Sequence, residues 1–318
     1  MKTKGAGNMI LTVTANAAID KRYVVERFGV GNVNRVKSCA ANAGGKGINV
    51  ARVASIAGEK MTATGFLGGH SGKFISERVE ARGIRSEFVW CEGESRTCIN
   101  IWDEVNHQQT EFLEPGFSVT EEDCSRLLKK FTSILPECRV VTISGSTTQG
   151  AGAALYKSMI RAAREEKKPV LLDTSGKLLE ECLLERPTMI KPNIDEIRAL
   201  TGRPMNSREA LLRAARDLHD DGIEIVVISL GGEGSLVSCQ EGVYDVKVPK
   251  IEAVNTVGCG DSMIAGFAVG MSRGLSMEET IRLASAISAA NAMRLETGFF
   301  VKEDMEELLP KINIKKIR

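Results

Sequence analysis

The chain has 318 residues, 43% of them hydrophobic, and a formal net charge of +1 at neutral pH. This length supports one large core with a small accessory domain, and a near-neutral charge without a basic run argues against nucleic acid as the main partner. No apolar run approaches the roughly 18 residues of a membrane span, and residues 1–5 lead into a run too short for a signal peptide, so we expect a cytoplasmic protein with no membrane partner.

Short β-rich runs alternate with helical stretches along the chain. Strands that are apolar throughout, such as 226–228, are expected where helices cover both faces of a parallel sheet. This pattern predicts a three-layer α/β domain with a mainly parallel sheet and with ligands at the carboxyl ends of its strands. The predicted strands are 10–14, 62–67, 140–144, 170–173, 189–191 and 225–230, and the predicted helices are 47–57, 73–81, 121–135, 151–166, 208–220, 261–273 and 277–295.

Two stretches interrupt this alternation, 21–39 and 85–112. The second contains a run at 98–102 with the alternating polarity of a half-buried strand. Both stretches read as antiparallel strands outside the main sheet. We therefore expect a separate small β unit formed by 16–40 and 85–112, beside an α/β domain formed by 1–15, 41–84 and 113–318.

A glycine-rich segment at 43–51 runs from a flexible turn into an apolar helix, and it carries Lys46 and Asn49 as hydrogen-bond donors. It is not a Walker A loop, because Lys46 is followed by Gly47 rather than by a hydroxyl residue that could hold magnesium. Two roles remain open for this segment. It is either a ligand-binding turn or a loop whose glycines only supply positive φ angles and whose lysine is solvated.

A second glycine-rich turn, at 255–261, opens a helix and ends in a carboxylate. Gly258 and Gly260 allow several backbone N–H groups to converge, and the helix N-terminus adds partial positive charge at that point. Asp261 is placed to accept the proton of an attacking hydroxyl, as a general base in phosphoryl transfer does. The alternative is a plain helix start that Thr256 or Asp261 caps.

Together the two segments resemble the motifs GGKG-x-N and T-x-G-x-G-D of the ribokinase/PfkB sugar-kinase family, and the resemblance covers nearly the whole chain. It implies a ribokinase-like α/β/α domain with a small β-sheet lid over the sugar, and this lid often serves as a homodimer contact. Several short segments are most similar to the branch that phosphorylates sugar phosphates, namely 1-phosphofructokinase and tagatose-6-phosphate kinase. These segments are 14–20, 34–36, 95–97, 114–116, 144–146 and 191–196.

A phosphorylated sugar is the substrate class that the resemblance implies. Arg35 and Arg96 both lie in lid segments, and a guanidinium is the usual bidentate partner of a phosphate dianion. One such arginine is more often a solvated surface residue, but two at these positions favour a phosphate group, and Lys46 adds a third positive charge. The implied substrate-binding residues are Asp20, Arg35, Gly44, Gly45, Lys46, Asn49 and Arg96.

The ATP site is implied by a segment at 191–196 that resembles the family's N-x-x-E motif, in which Asn193 and Glu196 act through water on magnesium. The structural alternative is a strand end followed by a helix N-terminus. A glycine loop at 229–234 either brings backbone donors to the nucleotide or forms a tight turn between strands. Mg²⁺ is expected to arrive with ATP rather than in an all-protein cage. The implied nucleotide-binding residues are Lys191, Asn193, Ser229, Gly231, Gly234 and Asn291.

Two departures from the family pattern concern 147–149 and Cys259. The first replaces a Leu-Pro segment by Thr-Thr-Gln, so substrate choice follows less directly from the motifs than reaction type does. Cys259 stands where Ala is usual. It is either a reactive thiolate favoured by the helix N-terminus or a small residue packed against the sheet. The eight cysteines are scattered without a Cys-x-x-Cys pair and predict reduced structural thiols rather than a metal cluster.

The sequence therefore predicts an ATP-dependent kinase that converts a ketohexose phosphate to a 1,6-bisphosphate. Asp261 is the expected base, with Gly258, Cys259 and Gly260 supplying backbone donors. The motifs do not separate two substrates; fructose 1-phosphate is the first choice and tagatose 6-phosphate the alternative. A catalytically inactive sugar- or nucleotide-binding regulatory module is the further alternative, because fold alone does not establish function.

Overall fold

The computed structural model describes Gly7 and residues 9–317. Segment 1–5, which enters the signal-peptide argument, lies outside the described residues. Among the described helices, none combines the length and apolar character needed to cross a membrane. All eight cysteines are described, and all are free thiols in this structure.

Fifteen strands are present in the described part of the chain. Most are short, and those of the main sheet are largely buried. In chain order they are β1 (Met9–Thr14), β2 (Ala18–Val25), β3 (Val36–Gly44), β4 (Lys60–Leu67), β5 (Arg85–Ser86), β6 (Val89–Trp90), β7 (Arg96–Asp103), β8 (Gln108–Leu113), β9 (Cys138–Ser144), β10 (Val170–Asp173), β11 (Met189–Ile190), β12 (Ile225–Ser229), β13 (Ser235–Cys239), β14 (Gly242–Lys247) and β15 (Asn313–Lys316).

Ten α-helices are described alongside these strands. In chain order they are α1 (Lys46–Ile56), α2 (Gly69–Glu80), α3 (Glu121–Ile134), α4 (Gly152–Glu165), α5 (Gly176–Leu183), α6 (Ile194–Thr201), α7 (Arg208–Asp220), α8 (Cys259–Arg273), α9 (Met277–Ala292) and α10 (Lys302–Leu308). All seven predicted helices are confirmed, with ends that differ by up to four residues. The sequence pattern missed α5, α6 and α10, which have only seven or eight residues each.

The main sheet has the order β15-β14-β13-β12-β11-β10-β9-β1-β4-β5, and β6 pairs with β4. Pairing is parallel from β12 to β5 and antiparallel from β12 to β15. Helices cover both faces, because alternate side chains of β1 enter two different cores. Ile10 belongs to the core that contains the buried side chains of α1, α8 and α9, whereas Leu11 belongs to the core that contains those of α3 and α4. The predicted three-layer α/β fold with a mainly parallel sheet is confirmed.

The second sheet, which we call the lid, has the order β3-β2-β7-β8. The prediction of antiparallel strands is wrong for its central pair, since β2 and β7 are parallel. Both strands follow segments of the main domain and leave it in the same direction. Residues 85–90 form β5 and β6 of the main sheet, whereas 41–44 belong to β3. The lid strands therefore cover 18–44 and 96–113 rather than 16–40 and 85–112.

Candidate active site

A cleft of about 1440 Å³ lies between the lid and the carboxyl ends of the parallel strands. Four polar residues that end β1, β9, β10 and β12 line its floor: Thr14, Ser144, Asp173 and Ser229. Parallel α/β sheets bind ligands at this edge. The volume exceeds that of a pocket for one small ligand, so two substrates can lie side by side.

Asp261 lies in the first turn of α8, at the centre of the cleft floor. The turn before it needs glycine because Gly258, the N-cap of α8, has φ 83°. Asp261 is only 6% exposed, and Asn49 donates an Nδ2–H to its Oδ2 at 2.8 Å. Burial raises the pKa of Asp261 to about 6, although nearby Lys46 opposes the rise. The two glycine-rich segments thus meet at a carboxylate with the pKa of a useful base.

A buried Asp173 holds two lysines over the same part of the floor. Its Oδ2 lies 3.3 Å from Lys46 Nζ, and its Oδ1 lies 3.5 Å from Lys191 Nζ. Burial alone would raise the pKa of Asp173, but Lys191 and Lys46 outweigh it and lower the pKa. A Cβ on Gly260 would lie 3.0 Å from Lys191 Nζ, so this lysine borders the turn before Asp261. The ammonium groups of Lys46 and Lys191 therefore place positive charge where phosphate oxygens could bind.

Sequence reasoning missed Asp173, although a signal for it was available. It is the last residue of a buried apolar strand, and polar residues at that position of a parallel sheet face the ligand site. Its role became visible only when the structure placed Lys46 beside it, 127 residues away in the chain.

Asp20 lies on β2 against the turn that starts α1. A Cβ on Gly44 would lie 2.0 Å from Asp20 Oδ2, so only glycine allows this approach. Gly45 has φ 99° and its backbone N–H donates to the Asp20 carboxylate. Burial raises the pKa of Asp20 to about 6, against the positive charges of Arg52 and Arg96. The predicted sugar-binding residues on these two segments therefore do come together.

The two predicted phosphate-binding arginines are not brought together. Arg96 lines the cleft, but its guanidinium donates to the backbone oxygens of Asn16, at 3.2 and 3.0 Å, and Glu114, at 3.0 Å. Three of its five N–H groups are engaged, which leaves two for a ligand. Arg35 is exposed and does not line the cleft of its own chain. The prediction of an Arg35–Arg96 pair in one cleft is therefore wrong for the single chain.

On the nucleotide side, Lys191, Asn193, Glu196 and Ser229 line the cleft. Asn193 and Glu196 also form a capping box at the start of α6, with N···O distances of 2.8 and 2.9 Å. These two residues therefore cap the helix, as the structural alternative predicted, and they also line the cleft. Gly231 and Gly234 form a turn between antiparallel β12 and β13 and do not line the cleft.

Among the described residues, no group of three His, Cys, Asp or Glu side chains could hold a metal ion. Asn193 and Glu196 offer at most a partial ligand set, since each uses one side-chain atom in the capping box. This fits a magnesium ion that enters with ATP phosphates and keeps several of its waters.

Asn291 and Cys259 lie behind the turn rather than in front of it. Asn291 is fully buried; it donates to Val257 O at 3.2 Å and accepts from Ser262 Oγ and Phe299 N, each at 3.1 Å. The prediction that Asn291 binds nucleotide is therefore wrong, because its polar groups are already engaged in holding the turn.

The thiol of Cys259 lies 3.4 Å from the Asn291 side-chain nitrogen. Burial raises the pKa of this thiol, although the Asn291 hydrogen bond opposes the rise. This direction is opposite to that of a stabilised thiolate, so it favours the alternative of a small packed residue.

The departure at 147–149 has a structural explanation. Thr148 donates its hydroxyl to Phe117 O, and Gln149 forms a bridge to Ser118, with side-chain atoms 3.2 Å apart. Val119 N donates to Gln149 O at 2.9 Å. These hydrogen bonds hold the loop after β9 without the rigidity of a proline.

A buried carboxylate at a helix N-terminus and two lysines beside it, at the carboxyl edge of a parallel sheet, define a phosphoryl-transfer enzyme, a kinase. The family model described as "pfkB family carbohydrate kinase" matches residues 11–304. The chain belongs to this family, and its function as an ATP-dependent kinase, expected from the motifs, is confirmed.

Individual relatives agree with this assignment. A tagatose-6-phosphate kinase of Staphylococcus epidermidis is 40% identical over 314 residues, covering 96% of this chain and 99% of the relative. Among solved structures, phosphofructokinase-2 from Escherichia coli is 25% identical with a TM-score of 0.90, covering 95% and 98% of the two chains. A Thermotoga maritima protein described as "Possible 1-phosphofructokinase" is 28% identical with a TM-score of 0.89, covering 98% and 100%.

Proposed function

We propose that the protein transfers the γ-phosphoryl group of ATP to a ketohexose phosphate and forms a ketohexose 1,6-bisphosphate. The observation that carries this proposal is the buried Asp261 beside Asn49, facing Lys46 and Lys191 in a cleft with room for two substrates. A protein that only bound ligands would not need a carboxylate whose pKa of about 6 suits a base. This arrangement favours an active enzyme over an inactive regulatory module.

In the proposed reaction, Asp261 accepts the proton of a primary sugar hydroxyl as its oxygen attacks the γ-phosphorus in line. Lys46, Lys191 and the backbone N–H groups of Gly258 and Gly260 offset the charge that develops on the transferred group. The N–H groups of Val257 and Cys259 already donate within the turn, to Asn255 Oδ1 at 3.0 Å and to Thr256 O at 3.3 Å. Asp20 and Asn49 hold the sugar hydroxyls. When bound with ATP, Mg²⁺ supplies further charge neutralisation, and Asn193 and Glu196 line the side of the cleft where it would sit.

The phosphate that the sugar already carries needs a second group of cationic side chains, and the inner face of the lid supplies one. Arg22 lies two residues after Asp20 on β2, so both side chains point to the same face of the lid. Arg22 lines the cleft together with Arg96, and one of its N–H groups donates to Leu295 O at 3.2 Å. We assign the phosphate contact to Arg22 and Arg96, with Arg22 taking the role first given to Arg35.

Tagatose 6-phosphate becomes the first substrate choice, because the Staphylococcus epidermidis relative at 40% identity bears that name. This reverses the order expected from the motifs. Fructose 1-phosphate stays as the second candidate, supported by the Thermotoga maritima structure. The two sugars expose their reacting hydroxyl at opposite ends, so the chain must distinguish them through contacts along the sugar.

The test is a turnover assay with ATP and a panel of tagatose 6-phosphate, fructose 1-phosphate, fructose 6-phosphate and the free ketohexoses. ADP release gives the rate, and ³¹P NMR of the product identifies the new ester. We expect kcat/KM for a ketohexose monophosphate to exceed that for any free sugar by at least about 10², because a free sugar leaves the arginines without their partner. A free ketohexose as the best substrate contradicts the proposed substrate class.

We further propose that the protein forms a homodimer through the lid. Apolar side chains that do not line the cleft are exposed in and around it: Val30 90%, Val33 86% and Phe112 52%. The edge strands β3 and β8 leave backbone groups open to pairing, and such edges are usually covered. Light scattering should give twice the monomer mass, and Val33→Glu with Phe112→Glu should give the monomer. A monomeric wild type at micromolar concentration contradicts the dimer.

A further inference from the structure

Arg52 is a charged residue of α1 with no role in the reaction as described so far. It is only 3% exposed. Its guanidinium donates to Thr297 O at 2.7 Å, to Asn49 Oδ1 at 3.4 Å and to Ala43 O. None of these acceptors is a carboxylate, so no direct ion pair offsets the desolvation of the charge. An apolar side chain would fill a purely structural position at a lower free-energy cost.

Two of these partners belong to the substrate side of the site. Ala43 immediately precedes the Gly44–Gly45 turn that receives Asp20. Asn49 turns its Oδ1 towards Arg52 and its Nδ2 towards Asp261, so one amide joins the guanidinium to the base. Because an amide has one acceptor end and one donor end, the bond to Arg52 fixes which end faces the carboxylate.

The third partner belongs to the loop that supports the turn at 257–260. Thr297 is followed by Gly298, and a Cβ on Gly298 would lie 2.9 Å from Asn49 Cβ. On the other side, a Cβ on Gly258 would lie 2.7 Å from Gly298 N. The loop is therefore packed between Asn49 and the turn, and the 2.7 Å bond from Arg52 holds it there.

The charge of Arg52 also acts on the site. It lies near the carboxylates of Asp20 and Asp261, and also near Arg82 and Glu296. Its positive charge favours the ionised form of both carboxylates against their burial. The other charged groups facing Asp261 are Lys46 on α1, Asp173 at the end of β10 and Lys191 after β11.

We propose that Arg52 is a positioning residue for phosphoryl transfer, one guanidinium that aligns Asn49 with the base and fixes the loop behind the anion-binding turn. This inference rests on the proposed function, since it assigns Asp261 as base. It gives Arg52 two separable effects, one through geometry and one through charge. A lysine keeps the positive charge but cannot reach all three acceptors, whereas a methionine removes both the charge and the hydrogen bonds.

The test compares Arg52→Met and Arg52→Lys with the wild type, using whichever panel sugar the wild type phosphorylates. Arg52→Met should lower kcat by about tenfold to a hundredfold, the effect of misplacing reacting groups by about 1 Å, and should move the acid limb of the kcat profile to higher pH. Arg52→Lys should also have low kcat but an acid limb within about 0.2 units of the wild type.

Arg139→Met is the control for losing guanidinium bonds to backbone carbonyls, because Arg139, an exposed residue that does not line the cleft, donates to Gly7 O at 2.9 Å and to Ser272 O at 2.7 Å. It should lower the melting temperature without changing kcat or the acid limb. An Arg52→Met enzyme that behaves like this control overturns the proposal, and if that variant does not fold, an Arg52→Lys enzyme with wild-type kcat overturns it.

Carboxyl ¹³C NMR of Asp261, measured without substrate, separates this inference from the proposed function. The pKa of Asp261 should be higher in Arg52→Met than in the wild type. If the wild type is inactive on every sugar of the panel, the proposed function is contradicted, but the NMR measurement still tests the effect of Arg52 on Asp261. An unchanged pKa of Asp261 in Arg52→Met contradicts the charge effect of Arg52.

Discussion

Replacing Asp261 by Asn should lower activity but raise stability, because the burial that raises the pKa of this base also makes its charge costly in the folded protein. Asn keeps the shape of the side chain but cannot accept the proton, so kcat should fall by about 10²–10⁴. Binding of sugar and ATP should be largely kept, since the lysines and the lid arginines are unchanged. The kinetic loss should therefore appear in kcat rather than in KM.

The stability change follows from the pKa of Asp261, which rises from 3.8 to about 6 on burial. A carboxyl whose pKa is raised in the folded state stabilises the fold fully only below its unfolded pKa of 3.8, and this stability is lost as the pH rises from there to about 6. At 1.36 kcal/mol per pH unit, this cost approaches about 3 kcal/mol above pH 7. Asp261→Asn should remove it, so the variant should be more stable than the wild type at pH 7.5.

Urea unfolding at pH 5 and pH 7.5 measures this difference directly. The gain in the free energy of unfolding of Asp261→Asn over the wild type should be about half as large at pH 5 as at pH 7.5, where it should reach about 3 kcal/mol. An Asp261→Asn enzyme with near-normal kcat refutes the assignment of the base. A variant less stable than the wild type at pH 7.5 refutes the argument that burial dominates the energetics of this carboxylate.

Three further outcomes are expected. The wild-type kcat should fall about tenfold per pH unit below about pH 6, because the base becomes protonated. A kcat that does not change between pH 5 and pH 7 would contradict this. Arg22→Met and Arg96→Met should each weaken phosphosugar binding by about 2–4 kcal/mol in calorimetry while ATP binding stays unchanged, and Arg35→Met should match the wild type. Mass spectrometry after brief thiol alkylation should find exposed Cys39 modified before half-buried Cys259, and protection of Cys259 by ATP would count against its position behind the turn.

Many helices, strands and turns of this protein could be predicted from sequence, because each depends on residues that are close together in the chain. Helices such as α7 and strands such as β10 were predicted with the bounds that the structure has, since their apolar periodicity is set within one segment. The glycine-rich turns were also recognisable, because Gly45 and Gly258 adopt positive φ angles that other residues avoid. The second turn led to the prediction of Asp261 as base, and the family resemblance to the prediction of Asp20 and Asn49 as sugar ligands.

Tertiary structure decided what depends on distant pairs of residues. Sequence alone does not show that Asp173 joins Lys46 to Lys191, that Arg52 reaches Thr297, or that the lid strands β2 and β7 run parallel. It also gave Arg35 and Asn291 roles in binding that their surroundings contradict, one exposed outside the cleft and the other fully buried with its amide engaged. Residue type and spacing determine which chemistry a segment can perform, whereas burial and the partners brought by the fold determine which groups reach the ligand and with what pKa.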